Sequence, residues 1–245
     1  MVLETGNQAY IDSVMNRVFD DEIQLVDGAR AQRERMRMMA LTTGAIAITA
    51  NGQAYNYDYG VSDEQKVTAS KSWSDPTADI MADIRLWQER SDVTGAELTR
   101  AVCSKKTWGY ISKNIGIRNA ILGNNSGAAV SDKKIKDYLS EELDLEVVVY
   151  NKRYIDETGA TGKFVPDDTF VLFPAGDLGN GWFGTTPEES DLNSGSAANV
   201  SIVDTGVAIT TVKKTDPVNV DTKVTMIYLP SFETADQIMI ADVIA

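Results

Sequence analysis

The chain has 245 residues, 43% hydrophobic and 24% charged, ordinary proportions for a globular protein of one or two domains. A formal net charge of −13 and an isoelectric point near 4.5 argue against sequence-specific nucleic-acid binding, because phosphate contacts need clustered Lys and Arg. The absence of histidine excludes Ser-His and Cys-His catalysis and His-ligated zinc, and a single cysteine, Cys103, excludes an internal disulfide framework.

No proline interrupts residues 8–43, and Ile11, Val14, Val18, Leu25, Ala29, Met36 and Met39 recur at steps of three, four and seven. That spacing predicts one helix of about ten turns with a narrow apolar stripe. Asp12, Asp20, Asp21, Glu22 and Asp27 precede Arg30, Arg33, Arg35 and Arg37. This order is expected to complement the helix dipole and to leave an acidic and a basic end that can pair with neighbouring copies. Gly28 costs about 1 kcal/mol relative to alanine in mid-helix and predicts a bend or a close packing contact. Gly44 is the expected stop, and Asn51-Gly52 between two alternating runs predicts a hairpin.

Residues 61–74 read as a polar loop closing on Trp73. Asp75-Pro76-Thr77-Ala78-Asp79 then predicts a helix start capped by Asp75, with Ile80, Ile84 and Trp87 facing a core. A short strand at Ala101–Cys103 precedes two amphipathic helices, over 107–122 and from Ser131 to Leu143. Strands are predicted at 145–150 and 169–173, and a Gly/Ser/Asn-rich loop at 175–199. Further strands are expected at 200–203, 207–212, 224–229 and 237–243, with turns at Asp216-Pro217 and Leu229-Pro230. The order is α+β, with the last strands expected to return to the first hairpin. No apolar run approaches the ~18 residues needed to span a bilayer, and no signal-peptide pattern opens the chain, so no membrane partner is expected.

Chemical motifs are sparse. Gly179-Asn180-Gly181-Trp182-Phe183-Gly184 matches GxGxxG in form, but a polar stretch follows it where a dinucleotide site needs an amphipathic helix. Asp167-Asp168 and Glu188-Glu189 are carboxylate pairs in turns, positions where such residues are usually solvated. Cys103 sits among Ala101, Val102 and Ser104 and reads as a buried strand residue. No P-loop, EF-hand or Cys/His metal spacing occurs, so no cofactor and no metal are expected.

Several stretches together resemble the tailed-phage major capsid protein E family, lambda type. They are the run from Tyr10 to Gly60 with its Arg-rich helix end and AYNYDYG strand, then Trp73-Ser74-Asp75-Pro76-Thr77-Ala78-Asp79-Ile80. Val148-Val149-Tyr150, Tyr154-Ile155-Asp156 and Phe164-Val165-Pro166-Asp167-Asp168 follow in family order, as does the Gly-rich stretch from Leu178 to Gly184. The resemblance implies a Hong Kong 97-like capsid fold with a long spine helix over 8–43. A peripheral domain would comprise 1–100 plus 223–245, and an axial domain 101–222. It also implies a structural protein rather than an enzyme: a shell subunit that assembles through hexamers and pentamers in the host bacterial cytoplasm and ends in the virion. Its partners would be copies of itself, with scaffold or decoration proteins beside them. Family members carry an N-terminal arm and an extended loop ahead of the spine; this sequence begins almost at the spine and is expected to lack both.

Candidate subunit contacts are Arg30, Arg33 and Arg37 at the basic end, Asp20, Asp21 and Glu22 at the acidic end, and Gly179, Gly181 and Trp182 in the 175–199 loop. The alternative reading is an acidic cytoplasmic α/β enzyme or ligand-binding protein using Asp167, Asp168 and residues 176–184.

Overall fold

The computed structural model describes residues 8–50, 53–92, 95–123, 128–156, 158–192, 199–204, 206–215 and 218–244, with side chains along the first helix from Glu22 onward. Helix α1 spans Gln8–Thr43, 36 residues in one run, as its proline-free periodic sequence predicts. Gly44 ends it. The Gly44 N–H donates to Ala40 O at 2.9 Å, and its φ of +74° is a conformation that glycine adopts without penalty. A Cβ at that position would lie 2.7 Å from the Val61 side chain.

One expectation for α1 fails and another is narrowed. Its last turn holds no basic residue, so the arginines lie outside the terminal turn in which the dipole acts. At Gly28 an added Cβ would meet nothing within 4 Å, so that glycine marks no close contact.

Strands β1 (Ala45–Ala50) and β2 (Gln53–Asp58) form the expected antiparallel hairpin, in register from Ala45↔Asp58 to Ala50↔Gln53. Its Asn51-Gly52 turn lies outside the described residues. The stretch expected as a plain loop contains strand β3 (Lys66–Thr68). Helix α2 (Ile80–Asp92) starts a turn later than predicted. Asp75 is held in a local turn, accepting from Thr77 N at 2.8 Å and Thr77 Oγ1 at 2.7 Å, and Asp79 instead accepts from Ala82 N at 3.1 Å.

After β4 (Arg100–Cys103) the single helix expected over 107–122 is two, α3 (Lys105–Lys113) and α4 (Ile115–Leu122). Asn114 divides them. Its Oδ1 accepts from Ile117 N at 3.0 Å as the cap of α4, and its Nδ2 donates to Ala78 O at 2.7 Å. Then come α5 (Asp132–Leu143), β5 (Glu146–Val149), β6 (Arg153–Ile155), β7 (Thr161–Lys163) and β8 (Thr169–Phe173). The expected loop at 175–199 contains β9 (Gly181–Phe183) and the short helix α6 (Pro187–Leu192). The chain continues through β10 (Asn199–Asp204), β11 (Val207–Thr215), β12 (Val218–Met226), β13 (Tyr228–Pro230) and β14 (Met239–Asp242). The Asp216-Pro217 turn lies outside the described residues, and Leu229-Pro230 belongs to β13 rather than to a turn.

The chain divides into two compact units. One comprises Arg35–Asn180 and Ser231–Ala245, and is built on a five-stranded sheet of order β3-β14-β8-β4-β5. The alternation of its strands feeds two cores. Ala101, Cys103, Phe170, Leu172, Met239 and Ala241 point to one face, against Trp73, Ile84 and Trp87, Trp108, Ile111, Ile135 and Leu139. Val102, Val171 and Phe173 point to the other, against Leu41, Val61, Val165 and Ile238. Trp73 stacks on Trp87 with ring centroids 5.6 Å apart and meets Phe170 edge-on at 5.2 Å. Burial pushes the Cys103 thiol up to about 12, which makes it inert, as its sequence context suggests.

The other unit comprises residues up to Glu34 and Gly181–Pro230, with a three-stranded antiparallel sheet β10-β11-β12 and a two-stranded ribbon β9-β13. Val26, Val207, Ala208, Ile209 and Tyr228 are buried apolar side chains among its described residues.

The last strand does not return to the hairpin. β14 lies between β3, parallel, and β8, antiparallel, while β1 and β2 form a two-stranded sheet of their own. The two units cut the chain at 34/35, 180/181 and 230/231, away from the 100/101 and 222/223 borders expected for peripheral and axial domains. These are units of contact within one chain; peripheral and axial are places in a capsomer.

Candidate functional site

The carboxylates of the enzyme reading are fully engaged. Asp167 Oδ1 accepts from Ser104 Oγ at 2.9 Å, and Lys163 Nζ bridges both Asp167 oxygens at 2.6 and 2.7 Å. Burial pushes this carboxyl up, but the hydrogen bonds from Lys163 and Ser104 outweigh it and hold Asp167 below the ordinary carboxylate range. Asp168 Oδ2 accepts from Lys106 Nζ at 2.8 Å and Oδ1 from Tyr110 Oη at 2.9 Å, while its backbone N–H donates to Thr107 Oγ1 at 3.1 Å. Its φ of +65° is unusual for a non-glycine residue and is held by these bonds. The pair clamps the β7–β8 turn onto the start of α3.

A depression of about 630 Å³ beside it is lined by Thr42, Lys66, Asp168 and Asp242 among others. Among the described residues no group of three or more Cys, Asp or Glu side chains is placed to hold a metal ion. Glu188 Oε1 likewise accepts from Lys223 at 2.7 Å and Thr225 at 3.0 Å; the Glu189 side chain lies outside the described residues. These carboxylates are spent on structure, and the enzyme reading finds no support.

The basic end of α1 splits by role. Arg30 is exposed and pairs with Asp27 one turn back at 3.1 Å, an exposed pair that contributes little to stability. Arg33 is half-buried, its guanidinium 5.6 Å from the centre of the Phe183 ring. Arg35 lies over Tyr154 at 4.8 Å, and Arg37 is exposed. At the acidic end Glu22 is half-buried, while the Asp20 and Asp21 side chains lie outside the described residues.

The GxGxxG stretch is part of the β9-β13 ribbon and its approach. At Gly179 an added Cβ would clash with the Ser231 backbone carbonyl, and Ser231 N donates to Asn180 O at 2.7 Å. Gly181, Trp182 and Phe183 pair with Pro230, Leu229 and Tyr228. Alternation then sorts the ribbon into two faces. Phe183 and Tyr228 pack together at 5.1 Å on the inner one. On the outer one Trp182 is 65% exposed, directly opposite Leu229 at 39%, with Ile227 at 45% two residues before it.

A second aromatic face was missed in the sequence. In the β1-β2 hairpin Ile48 stands opposite Tyr55 and Ile46 opposite Tyr57, so all four share one face. Ile46 is buried, but Tyr55 is 60% and Tyr57 49% exposed. Tyr57 meets Tyr59 edge-on at 4.9 Å, and Tyr59 meets Phe232 at 5.8 Å, which anchors the base of the row. The available signal was tyrosine at alternate positions in a strand whose intervening residues, Asn56 and Asp58, are polar.

A family model described as phage major capsid protein E matches residues 2–243. The chain belongs to the phage major capsid protein E family. Its role is accordingly structural, that of a major capsid protein of a phage or prophage, and copies of it associate with one another. Among solved structures, it is similar to a protein assigned as the capsid protein of a prophage of E. coli, at a TM-score of 0.70 and 16% identity, over 99% of this chain and 72% of that one. A phage-related protein of Bordetella bronchiseptica matches at a TM-score of 0.45 and 15% identity, over 74% of this chain and 56% of that one. No curated protein matches the sequence.

Proposed function

We propose that this capsid protein has a Hong Kong 97-like fold with α1 as its spine helix, and that it assembles through hexamers and pentamers into an icosahedral, DNA-containing shell. Assembly takes place in the bacterial host cytoplasm, and the product is the virion capsid. The observation that carries the reading is the family match over residues 2–243, supported by a fold similar to that of a prophage capsid protein.

The peripheral domain is assigned to 1–100 with 223–245 and the axial domain to 101–222, with one amendment. β3 and β14 are hydrogen-bonded into the sheet that holds β4, β5 and β8, so they belong with the axial domain. Arg30 and Arg37, both exposed, are assigned to the contact with acidic residues of a neighbouring copy, the Asp20, Asp21 and Glu22 end being the candidate. Arg33 acts through Phe183, supporting the ribbon from within. Gly179, Gly181 and Trp182 form a further contact. In a copy carrying thirteen excess negative charges, such pairing sets register and rejects wrong partners more than it adds affinity.

Light scattering with negative-stain microscopy of the purified chain tests assembly: rings or shells are expected, and a monomer at every concentration and salt would refute it. The double charge reversal Arg30→Glu with Arg37→Glu should reduce assembly several-fold while the circular dichroism spectrum is unchanged. Unaltered particles would remove the arginines from the contact.

A further inference from the structure

Among the described residues, two surfaces bring large apolar side chains together at the exterior. They are the outer face of the β9-β13 ribbon (Trp182, Ile227, Leu229) and the outer half of the hairpin face (Ile48, Tyr55, Tyr57). Among the other exposed large apolar residues, Ile23 and Leu25 are two positions apart on α1 and so face different ways, while Leu86, Ile115, Val148, Ile155 and Ile244 lie apart along the chain. Neither ribbon face carries a charged side chain, although the chain as a whole has a net charge of −13. Copies of so acidic a chain repel one another over most of their surface, so contact is least opposed where charge is absent. Tyrosine and tryptophan are also the residues that most often anchor interfaces.

We infer that the hairpin face of one copy, centred on Tyr55 and Tyr57, docks on the Trp182–Leu229 face of the next copy. The inference rests on the self-association reading and names the surfaces that carry it. Area selects the occupant. Two or three half-exposed large side chains present on the order of 200–300 Å² of apolar surface, well below the roughly 800 Å² per partner of a stable two-body complex. A contact this small holds only as one of many in a closed assembly, and a second copy of the same chain is the partner supplied in that number. Symmetry selects the pairing. If each face bound its own twin, the contact would close as a two-fold dimer and stop, whereas two different faces make a head-to-tail contact that propagates into a ring.

The composition provides the test. Of the four tryptophans, Trp73, Trp87 and Trp108 are buried, so Trp182 alone should respond to an aqueous quencher. Cys103, the only cysteine, is buried and serves as a silent background for introduced thiols. Tyr55→Cys and Leu229→Cys chains, one tagged to differ in mass, would be mixed under mild oxidation during assembly followed by light scattering. The same experiment with Ile48→Cys in place of Tyr55→Cys keeps both tyrosines intact. Asn56→Cys, on the opposite hairpin face, is the control.

The expected result is a mixed disulfide dimer at least several-fold above either variant alone and above the control, with iodide quenching of wild-type Trp182 falling as particles form. Particles that form with Trp182 still quenched, or with same-variant dimers dominating, overturn this contact and leave the capsid reading standing. A chain that stays monomeric with no cross-link overturns both.

Discussion

The five-stranded sheet and the two-stranded ribbons are made of similar residues and spend them differently. In the sheet, both faces of β4, β8 and β14 are covered by the chain itself, and side chains such as Phe170, Val171 and Leu172 are fully buried. In the ribbons one face is covered and the other is left to solvent, with Phe183 and Tyr228 inside, Trp182 and Leu229 outside. Apolar residues with covered neighbours on both sides hold a fold together. Apolar residues grouped on an uncovered face need a reason, and in a capsid protein that reason is another subunit.

The contrast is sharpest between two tryptophans. Trp73→Ala removes a ring stacked on Trp87 and edge-on to Phe170, and takes from the buried Asp83 the bond it accepts from Trp73 Nε1 at 2.9 Å. A loss of about 3–5 kcal/mol in urea unfolding is expected; a loss below about 1 kcal/mol would mean that the sheet core is not closed. Gly44→Ala, at the joint between α1 and the hairpin, should cost about 2 kcal/mol through left-handed backbone strain and contact with Val61. An unchanged midpoint would show that the joint can move.

Asp167 supplies the pH arm. Its carboxyl is held below the ordinary range in the folded chain, so its stabilisation is complete above the unfolded value of about 3.9 and disappears as pH falls through the lower folded value. Asp167→Asn should therefore cost about 1 kcal/mol at neutral pH and progressively less as the pH falls through the lowered folded value, by thermal unfolding across pH; equal loss at both ends would make the effect one of packing. Smallest of all, Trp182→Ala should leave monomer stability within about 0.5 kcal/mol while abolishing particles. A large stability loss would move Trp182 from the interface to the core.

Much of this fold was readable because it is local. Helix α1 and the hairpin follow from periodicity, an absent proline, Gly44 and the alternation on either side of Asn51-Gly52. The misreadings have non-local causes. Asn114 breaks a helix because its side chain reaches Ala78 O, 36 positions away, and a local pattern carries no sign of that. β9 has three residues, too few for an alternation to register, and its partner lies in β13. The place of β14 was missed because pairing with β3 and β8 is decided by packing across the sheet. For the contact surfaces, Trp182 stood out as an aromatic in a polar, glycine-rich stretch. Tyr55 and Tyr57 did not, since tyrosines in a strand look alike whether the face they share is covered or open.

The position of β14 also bears on when this protein can become a subunit. Met239–Asp242 fills the gap between β3 and β8, and just beyond the paired residues Ala69 N donates to Asp242 O at 2.9 Å and Trp73 N to Val243 O at 2.8 Å. Until these residues have left the ribosome, β3 has no strand to join and the places of Met239 and Ala241 in the larger core are empty. Folding of this unit is thus completed only after Met239–Asp242 has been released, and a prematurely terminated product has no finished body to offer a growing shell. Seating β14 between two strands made before it, β3 and β8, ties joining the particle to synthesis at least as far as Asp242.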